Sequence, residues 1–342
     1  MKILIVMDPG ILVPPKGYGG HERLVEMFAL EYTRLGHEVH LLVTEGSNVP
    51  GCIVHPLGKV GFPPKKWDAR RAIPKAWHFL WRHRNQFDIV HNFGRLAYLF
   101  PILNHPIKKI MTYGREIYAP NIKRINRFKN KNLVFTAPSE FCMSTGNIAG
   151  KWCKVFNAID FSKYTFRQYV PDDAPLIFLS RLERLKGAHE AIEIALKTKN
   201  KLIIAGNISP LREEQLYFKK HVEPFIDGSQ IKYVGTLDDA GKNHYLGISK
   251  AMLFPARTKE AFGMVMIEAM ACGTPVVAFP AGSVPEVVEH GVTGFIVSSK
   301  EQMIEILPQI ETLNRSNCRT RAESRFDVKK IAQEYLTLHE RN

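Results

Sequence analysis

The sequence predicts an α/β protein with two Rossmann-like domains, each built on a mainly parallel sheet. The chain has 342 residues, which is more than one ordinary hydrophobic core accommodates. Short apolar runs of strand length alternate with segments of helical period, and this alternation starts again after Asp172-Asp173-Ala174-Pro175. We therefore expect domains at residues 1–160 and 161–325, with a C-terminal helix at about 326–342 as a candidate to pack back onto the first domain.

Five strands and two helices are predicted in the first domain. The helix His21–Leu35 rests on Leu24, Phe28 and Leu35, which recur at helical spacing before Gly36. The other predicted elements are the strands Ile3–Val6, Glu38–Thr44, Asp88–His91, Lys109–Tyr113 and Val134–Ala137, and the helix Lys75–Arg84.

The second domain repeats the pattern. Its predicted strands are Leu176–Ser180, Lys201–Ala205, Ile231–Val234, Ala251–Phe254 and Val276–Phe279, and its predicted helices are Gly187–Leu196 and about Gly263–Ala271. An amphipathic helix at Val328–His339 ends the chain. Ligands of open parallel sheets bind beyond the carboxyl ends of the strands. We therefore expect two sheets that face each other across a cleft, with the functional residues directly after the strands.

The net positive charge of the chain comes entirely from its first half. Residues 1–170 hold 25 Lys and Arg against 11 Asp and Glu, whereas residues 171–342 hold 22 of each. The stretch Lys59–Arg84 has eight basic residues and one acidic residue, beside Phe62, Trp67, Trp77, Phe79 and Trp81. This pattern fits a helix with an aromatic core face and a solvated cationic face. It also fits contact with an anionic membrane or glycan. Nucleic acid is the least favoured partner.

Several classes of protein are disfavoured. The chain has no apolar run of about 20 residues that would cross a bilayer, and its N-terminus lacks the pattern of a signal peptide. Its five cysteines are scattered, which is typical of a reducing cytosol. The fingerprint G-x-G-x-x-G is missing, so a nicotinamide dehydrogenase is disfavoured. We expect a cytoplasmic protein, with the inner face of the plasma membrane as a candidate location.

Two glutamates frame a glycine-containing loop after the strand Ala251–Phe254. Gly263 lies where a helix begins, so its neighbouring N–H groups can hold an anion. Glu268 follows five residues later, about 7.5 Å along a helix axis. It lies in an otherwise apolar stretch, and a carboxylate there needs a partner such as the hydroxyl groups of a ribose. Glu260 precedes the helix and would lie nearer a sugar. The alternative is that both glutamates are solvated surface residues.

Arg181 and Lys186 follow the strand Leu176–Ser180, where a diphosphate would need positive charge. The alternative for both residues is a solvated loop. The sequence contains no D-x-D pair to hold a divalent ion. The charge of a departing diphosphate would then be neutralised by these two cations and a helix N-terminus, so we expect no metal site.

The second half resembles the retaining glycosyltransferase family 4, which has the GT-B fold. The run from Glu260 to Ala278 is similar to the family's E-x7-E motif and its continuation. The segment Ser180–Gly187 resembles its phosphate motif, with Ser180 in place of a glycine, and Asn157–Asp160 resembles the family segment before the linker. The segments Gly282–Val288 and His290–Phe295 look like its next segments. Together these motifs cover most of residues 155–300.

The resemblance implies a role for each matching residue. Arg181 and Lys186 would bind the donor diphosphate, Glu260 the transferred sugar, and Glu268 the ribose. The backbone at Phe262, Gly263 and Met264 would approach the sugar and phosphate, and Gly206 and Val234 would flank the base. The donor would be a UDP-sugar or GDP-sugar, with no further cofactor and no metal. The anomeric configuration would be retained.

Four residues of the first half are candidates for contact with donor or acceptor. Gly19 and Gly20 open a helix and leave N–H groups exposed. They resemble the family's G-G-x-E loop near the donor phosphate, although a plain turn is the alternative. His91 ends a predicted strand, where it would orient a hydroxyl or serve structure alone. Many relatives carry T-x-H after the next strand, and here Tyr113 takes the place of that histidine.

The function that we predict is transfer of a sugar from a nucleoside-diphosphate sugar to a hydroxyl of a glycan or lipid-linked acceptor. One alternative is another reaction of the same fold, such as epimerisation or hydrolysis of the sugar nucleotide. Another is a catalytically silent protein that binds sugar nucleotides, which the tyrosine at position 113 suggests.

Overall fold

The computed structural model describes residues 1–17, 19–61, 66–128, 130–146 and 150–340, without the side chains of residues 66–69. Of the aromatic residues expected in the basic stretch, Phe62 and the side chain of Trp67 lie outside this description. The chain forms two compact units. Unit 1 comprises Met1–Ala158 and Val328–Asn342, and unit 2 comprises Ile159–Asp327.

Unit 1 is built on a seven-stranded sheet in which every pair of neighbours is parallel. Its strands are β1 (Lys2–Val6), β2 (Glu38–Thr44), β3 (Cys52–Gly58), β4 (Ile89–Asn92), β5 (Lys108–Thr112), β6 (Leu133–Ala137) and β7 (Trp152–Lys154). Its helices are α1 (Gly20–Arg34), α2 (Lys66–His83), α3 (Ala119–Ile125), α4 (Glu140–Ser144) and, from the end of the chain, α12 (Val328–Thr337). The strand order is β3-β2-β1-β4-β5-β6-β7.

The first and last helices of the chain pack together within unit 1. Helix α1 buries Leu24, Phe28 and Tyr32 at helical spacing. It stops before Gly36, whose φ of +81° suits glycine. The ring of Phe28 meets Tyr335 of α12 edge-on, with centroids 5.2 Å apart. The apolar face of the C-terminal helix α12 therefore packs against α1.

Unit 2 is built on a six-stranded sheet, again parallel throughout. Its strands are β8 (Leu176–Leu179), β9 (Leu202–Ala205), β10 (Ile231–Tyr233), β11 (Ala251–Phe254), β12 (Val276–Ala278) and β13 (Gly294–Ile296). Its helices are α5 (Ala188–Lys197), α6 (Arg212–His221), α7 (Asp239–Ile248), α8 (Met264–Ala271), α9 (Val284–Val287), α10 (Lys300–Ile306) and α11 (Arg315–Phe326). The strand order is β10-β9-β8-β11-β12-β13.

Each sheet has one point where the strand order reverses. In unit 1 this point lies between β1 and β4, and in unit 2 between β8 and β11. Ligands of open parallel sheets bind at such points, beyond the carboxyl ends of the strands. The segments that follow these four strands are therefore the places where functional residues are expected.

Candidate functional site

The segments after β8 and β11 lie against each other at the reversal point of unit 2. Gly187 has a φ of +83°, and a Cβ placed on it would lie 2.5 Å from the carbonyl oxygen of Pro255. The amide of Arg257 donates to the carbonyl of Leu185 at 2.9 Å. Only glycine at position 187 permits this approach. The two segments thus form one surface that carries Lys186 and Glu260.

Lys186 and Glu260 form an ion pair on that surface. The Lys186 Nζ to Glu260 Oε2 distance is 2.6 Å, and the two side chains are 12% and 20% exposed. Lys186 also lies 3.4 Å from Thr258 Oγ1. In this structure the two residues therefore neutralise each other. An anion that binds Lys186 would compete with a carboxylate already in place.

The backbone of Glu260 is fixed by the segment after β12. The amide of Ser283 donates to the Glu260 carbonyl at 3.0 Å. Gly282 has a φ of +60° and packs so closely against the backbone of Glu260 that no side chain would fit there. The glutamate side chain is therefore presented from a rigid loop, as a binding carboxylate requires.

Helix α8 begins directly after Gly263, whose φ of +81° lies in the left-handed region. The first N–H groups of a helix have no partner inside it, so this end suits an anion. The side chain of Phe262 points into the protein, where its ring meets Phe326 edge-on at 5.7 Å between centroids. Met264 is half-buried. Because the Phe262 side chain is turned inward, a ligand at positions 262–264 would contact the backbone.

Glu268 lies inside α8 with only 6% of its surface exposed. Its Oε1 accepts a hydrogen bond from Lys242 Nζ at 2.7 Å. Its Oε2 is also buried, and no donor among the described residues meets it with good hydrogen-bond geometry. Burial, the charges of Glu268 and Asp239, and a hydrogen bond to the Glu268 carboxylate raise the pKa of the Tyr164 hydroxyl well above its ordinary value. A buried carboxylate oxygen without a donor is costly, so the position suits a hydroxyl group of a ligand.

The three remaining candidates of unit 2 make fewer side-chain contacts. Arg181 is 45% exposed and pairs with Glu183 at 2.8 Å. Gly206, with a φ of +141°, is required because a Cβ there would lie 1.8 Å from the carbonyl oxygen of Ser180. Val234 is half-buried, and its amide donates to the carbonyl of Ile204 at 3.0 Å. Gly206 and Val234 thus flank the ends of β9 and β10 through their backbones.

The glycine turn of unit 1 has one crowded and one open position. Gly19 has a φ of +153°, and a Cβ on it would lie 2.7 Å from that of Pro15. A Cβ on Gly20 would have no atom within 4 Å. Gly20 therefore leaves the first turn of α1 accessible at the end of β1.

The expectation that His91 ends its strand and faces a ligand needs correction. Strand β4 continues to Asn92, and His91 lies inside it with 1% exposure. Its Nδ1 is 3.2 Å from the Tyr32 hydroxyl, and its Nε2 is 2.9 Å from Thr112 Oγ1. Burial lowers its pKa to about 3. The ring is a neutral core histidine with both nitrogens engaged, so it is not available to a substrate.

Tyr113 packs against aromatic side chains of unit 1. Its ring lies 6.4 Å from that of Phe135 and 5.8 Å from that of Trp152, at the border of the hydrophobic core. Burial raises the pKa of its hydroxyl. The imidazole that lies beyond the end of β5 comes instead from His21 in α1, which the sequence reasoning passed over. A Cβ on Gly114 would lie 1.8 Å from His21 Nε2.

The described residues present neither a metal site nor a membrane-spanning helix. Within these ranges no group of three His, Cys, Asp or Glu side chains is arranged to hold a metal ion. The described helices also include none that is long and apolar enough to cross a membrane.

Solved structures share the whole fold. A glycosyltransferase from Rickettsia africae superposes with a TM-score of 0.78 at 18% identity, over 99% of this chain and 98% of that one. The Anabaena protein Alr3699/HepE, in complex with UDP and glucose, gives 0.70 at 21% identity over 99% of each chain. With the two parallel sheets, these likenesses define the class: a two-domain GT-B fold.

The family follows from the sequence comparisons. Residues 18–141 match the profile described as Glycosyltransferase Family 4, and residues 165–333 match Glycosyl transferases group 1. The chain belongs to glycosyltransferase family 4. A curated relative, N-acetyl-alpha-D-glucosaminyl L-malate synthase of Bacillus anthracis, is 29% identical over 178 residues. That match spans 48% of this chain and 44% of the relative.

Proposed function

We propose that the protein is a retaining glycosyltransferase that uses a UDP-sugar or GDP-sugar as donor. The acceptor is a hydroxyl of a glycan or lipid-linked saccharide, and no metal ion takes part. The observation that carries the proposal is the buried Oε2 of Glu268, which no donor among the described residues meets with good hydrogen-bond geometry. It lies in the helix that begins beside the Lys186–Glu260 pair, so one nucleotide sugar would engage all three side chains.

Each residue of this surface has a distinct role in the proposal. Because Lys242 already occupies Oε1 of Glu268, the ribose hydroxyl donates to Oε2. The diphosphate takes the place of Glu260 on Lys186, which frees the Glu260 carboxylate to accept hydrogen bonds from hydroxyls of the transferred sugar. The N-terminus of α8 adds a second positive element, and the exposed Arg181 a third.

This arrangement supports a reaction without a metal. The charge that develops on the departing diphosphate needs fixed positive partners. Lys186, Arg181 and the first amides of α8 supply them from one surface, and the sequence has no D-x-D pair. UDP is the first nucleotide to test, because solved structures of the Anabaena neighbour contain UDP and UDP-glucose.

We place the acceptor at the cytoplasmic face of a membrane because of an aromatic surface on unit 1. The ring of Trp77 stacks on Phe100 at 5.5 Å, and Phe100 meets Phe128 edge-on at 5.3 Å. Trp81 is 57% exposed, with the Arg84 guanidinium over its ring at 4.1 Å. Exposed aromatic rings beside basic side chains suit an anionic membrane surface.

A thermal-shift screen of nucleotide sugars, with and without EDTA, tests the proposal. We expect one sugar nucleotide to raise Tm equally in both buffers, and Glu268→Ala to abolish the shift. Lys232→Met is a matched control, because Lys232 is exposed on β10 and belongs to no proposed contact. A shift that survives Glu268→Ala would refute the ribose site, and one that EDTA removes would refute independence from metals.

A silent sugar-nucleotide-binding protein is the second candidate, favoured by the tyrosine at position 113, which packs at the border of the hydrophobic core. The two candidates differ in turnover. Release of UDP only when a sugar acceptor is present identifies a transferase. Binding without release over a panel of acceptors identifies a silent protein, and release without any acceptor identifies a hydrolase.

A further inference from the structure

His21 lies at the carboxyl end of the unit 1 sheet, in the first turn of α1. Its imidazole occupies the space that a side chain at position 114 would fill, because a Cβ on Gly114 would lie 1.8 Å from Nε2 and 2.7 Å from Cε1. The ring also hydrogen-bonds the backbone of Gly114. Position 114 must therefore be glycine for the imidazole to lie there, which links the turn after β1 to the end of β5.

The surroundings of His21 are charged, unlike those of the core histidine His91. Asp8 follows β1, and its Oδ1 accepts a hydrogen bond from the Tyr98 hydroxyl at 2.7 Å. Arg95 lies 3.5 Å from the same oxygen. Asp8 and the exposed Arg115 act on the imidazole with opposite sign, and Glu22 is the next residue of α1. The ring thus belongs to a cluster of polar side chains at the ends of β1, β4 and β5.

The protonation state of this imidazole suits an acceptor of hydrogen bonds. Burial, followed by the charge of Arg115, lowers the pKa of His21 below its ordinary value. The ring is therefore neutral at pH 7 and carries one N–H and one lone pair. Glu22 is buried, and burial likewise raises the pKa of its carboxyl. The imidazole therefore brings no full positive charge to the open turn at Gly20.

We propose that His21 binds the acceptor in unit 1, where its neutral imidazole accepts a hydrogen bond from a sugar hydroxyl. The open position at Gly20 gives that hydroxyl access, and Gly114 leaves the ring the room it needs. The chemical class of ligand is a carbohydrate with a free hydroxyl group. This inference rests on the proposed transfer function and adds the residue that meets the acceptor.

A swap of the imidazole between positions 21 and 114 tests the inference. The variants are His21→Gln, His21→Asn, Gly114→His and the double variant H21A/G114H, with His78→Gln as the control because His78 is exposed on α2. Release of UDP from UDP-glucose is measured over a panel of sugar acceptors. Binding of UDP is measured by calorimetry, and Tm reports folding.

We expect His21→Gln and His21→Asn to lower turnover about tenfold, because their amide oxygens lie elsewhere than the ring nitrogen and one neutral hydrogen bond to the acceptor is lost. Their UDP affinity and Tm should stay close to those of the wild type. Gly114→His alone should be impaired, because its side chain meets the ring of His21. The double variant should recover at least about threefold over His21→Gln, because an imidazole returns to the region beyond the end of β5 from the other segment.

The outcomes separate the two proposals. A wild type that turns over sugar nucleotides while His21→Gln and His21→Asn stay within threefold overturns the role of His21 alone. If these variants bind UDP more weakly or have a lower Tm, His21 serves local structure, and its proposed role is also overturned. A folded double variant without any recovery overturns it as well. If the double variant does not fold, the two single variants decide. A wild type that binds or turns over no sugar nucleotide overturns the proposed function together with this inference.

Discussion

Replacement of Glu260 by glutamine is expected to strengthen the binding of UDP while it abolishes transfer. The reason lies in the ion pair, where Glu260 Oε2 contacts Lys186 Nζ at 2.6 Å. A nucleoside diphosphate must displace this carboxylate before it can use the lysine, and the carboxylate then repels the phosphates. Glutamine has nearly the same shape but no charge, so both costs decrease.

The size of the effect follows from the geometry of the pair. A hydrogen bond to a charged group contributes about 1.5–3 kcal/mol, and neither side chain is more than 20% exposed, so water screens the pair only in part. Part of that energy is regained because glutamine still accepts a hydrogen bond. A net gain of about 1 kcal/mol remains, which corresponds to roughly fivefold tighter binding.

Calorimetry with UDP measures the effect in a cycle of four proteins: wild type, Glu260→Gln, Lys186→Met and the double variant. Lys186→Met should weaken binding, and the gain from Glu260→Gln should become smaller in its background, because no lysine remains to be released and only the repulsion between carboxylate and phosphates is relieved. Weaker binding of UDP by Glu260→Gln than by the wild type would refute the reasoning. It would show that the pair does not have to open for the diphosphate.

Three further predictions concern other contacts. Lys242→Met leaves the buried Glu268 carboxylate without its partner at a cost of about 3 kcal/mol, so calorimetry should show Tm at least about 6 °C lower, whereas an unchanged Tm would contradict this pairing. The folded-state pKa of His91 is about 3, so the unfolded chain takes up the proton first as pH falls. The contribution of His91 to the free energy of unfolding therefore decreases from about pH 6.5 down to pH 3, by up to about 1.4 kcal/mol per pH unit. Between pH 7.5 and 5, Tm of His91→Gln should fall less than that of the wild type, and parallel decreases would contradict the assignment. Finally, flotation with anionic liposomes at low salt should recover the wild type but less of Trp81→Ser, and no recovery of the wild type would end the membrane proposal.

The sequence predicted the central strands of both sheets well, because apolar runs such as Ile3–Val6 and Ala251–Phe254 are buried on both faces. Of the four edge strands, β10 was predicted, whereas β3, β7 and β13 were missed. Strand β3 contains Pro56, and a proline argues against predicting a strand from sequence. Strand β7 has only three residues, none of them fully buried. Edge positions carry little of the hydrophobic signal that marks a strand.

The candidate site was predictable where it depends on position after a strand, as for Lys186, Glu260 and Gly263. The partners of these residues were not predictable. Nothing in the sequence links Lys242 to Glu268, since their contact depends on how α7 packs beside α8. The same holds for His21 and Gly114, which are distant in the chain. For His91 the error was one residue at the end of β4, which is enough to separate a buried ring from an exposed one.

The path of the chain means that unit 2 is one continuous segment, whereas unit 1 is interrupted. The two ends of the continuous segment are neighbours, because the amide of Ile159 donates to the carbonyl of Phe326 at 3.1 Å. Residues 159–327 can therefore be excised as a single piece, and a short peptide that joins residue 158 to residue 328 would close the remainder. Deletion of the final fifteen residues would instead remove Tyr335 from Phe28 and strip a helix from the half of the protein that begins at residue 1.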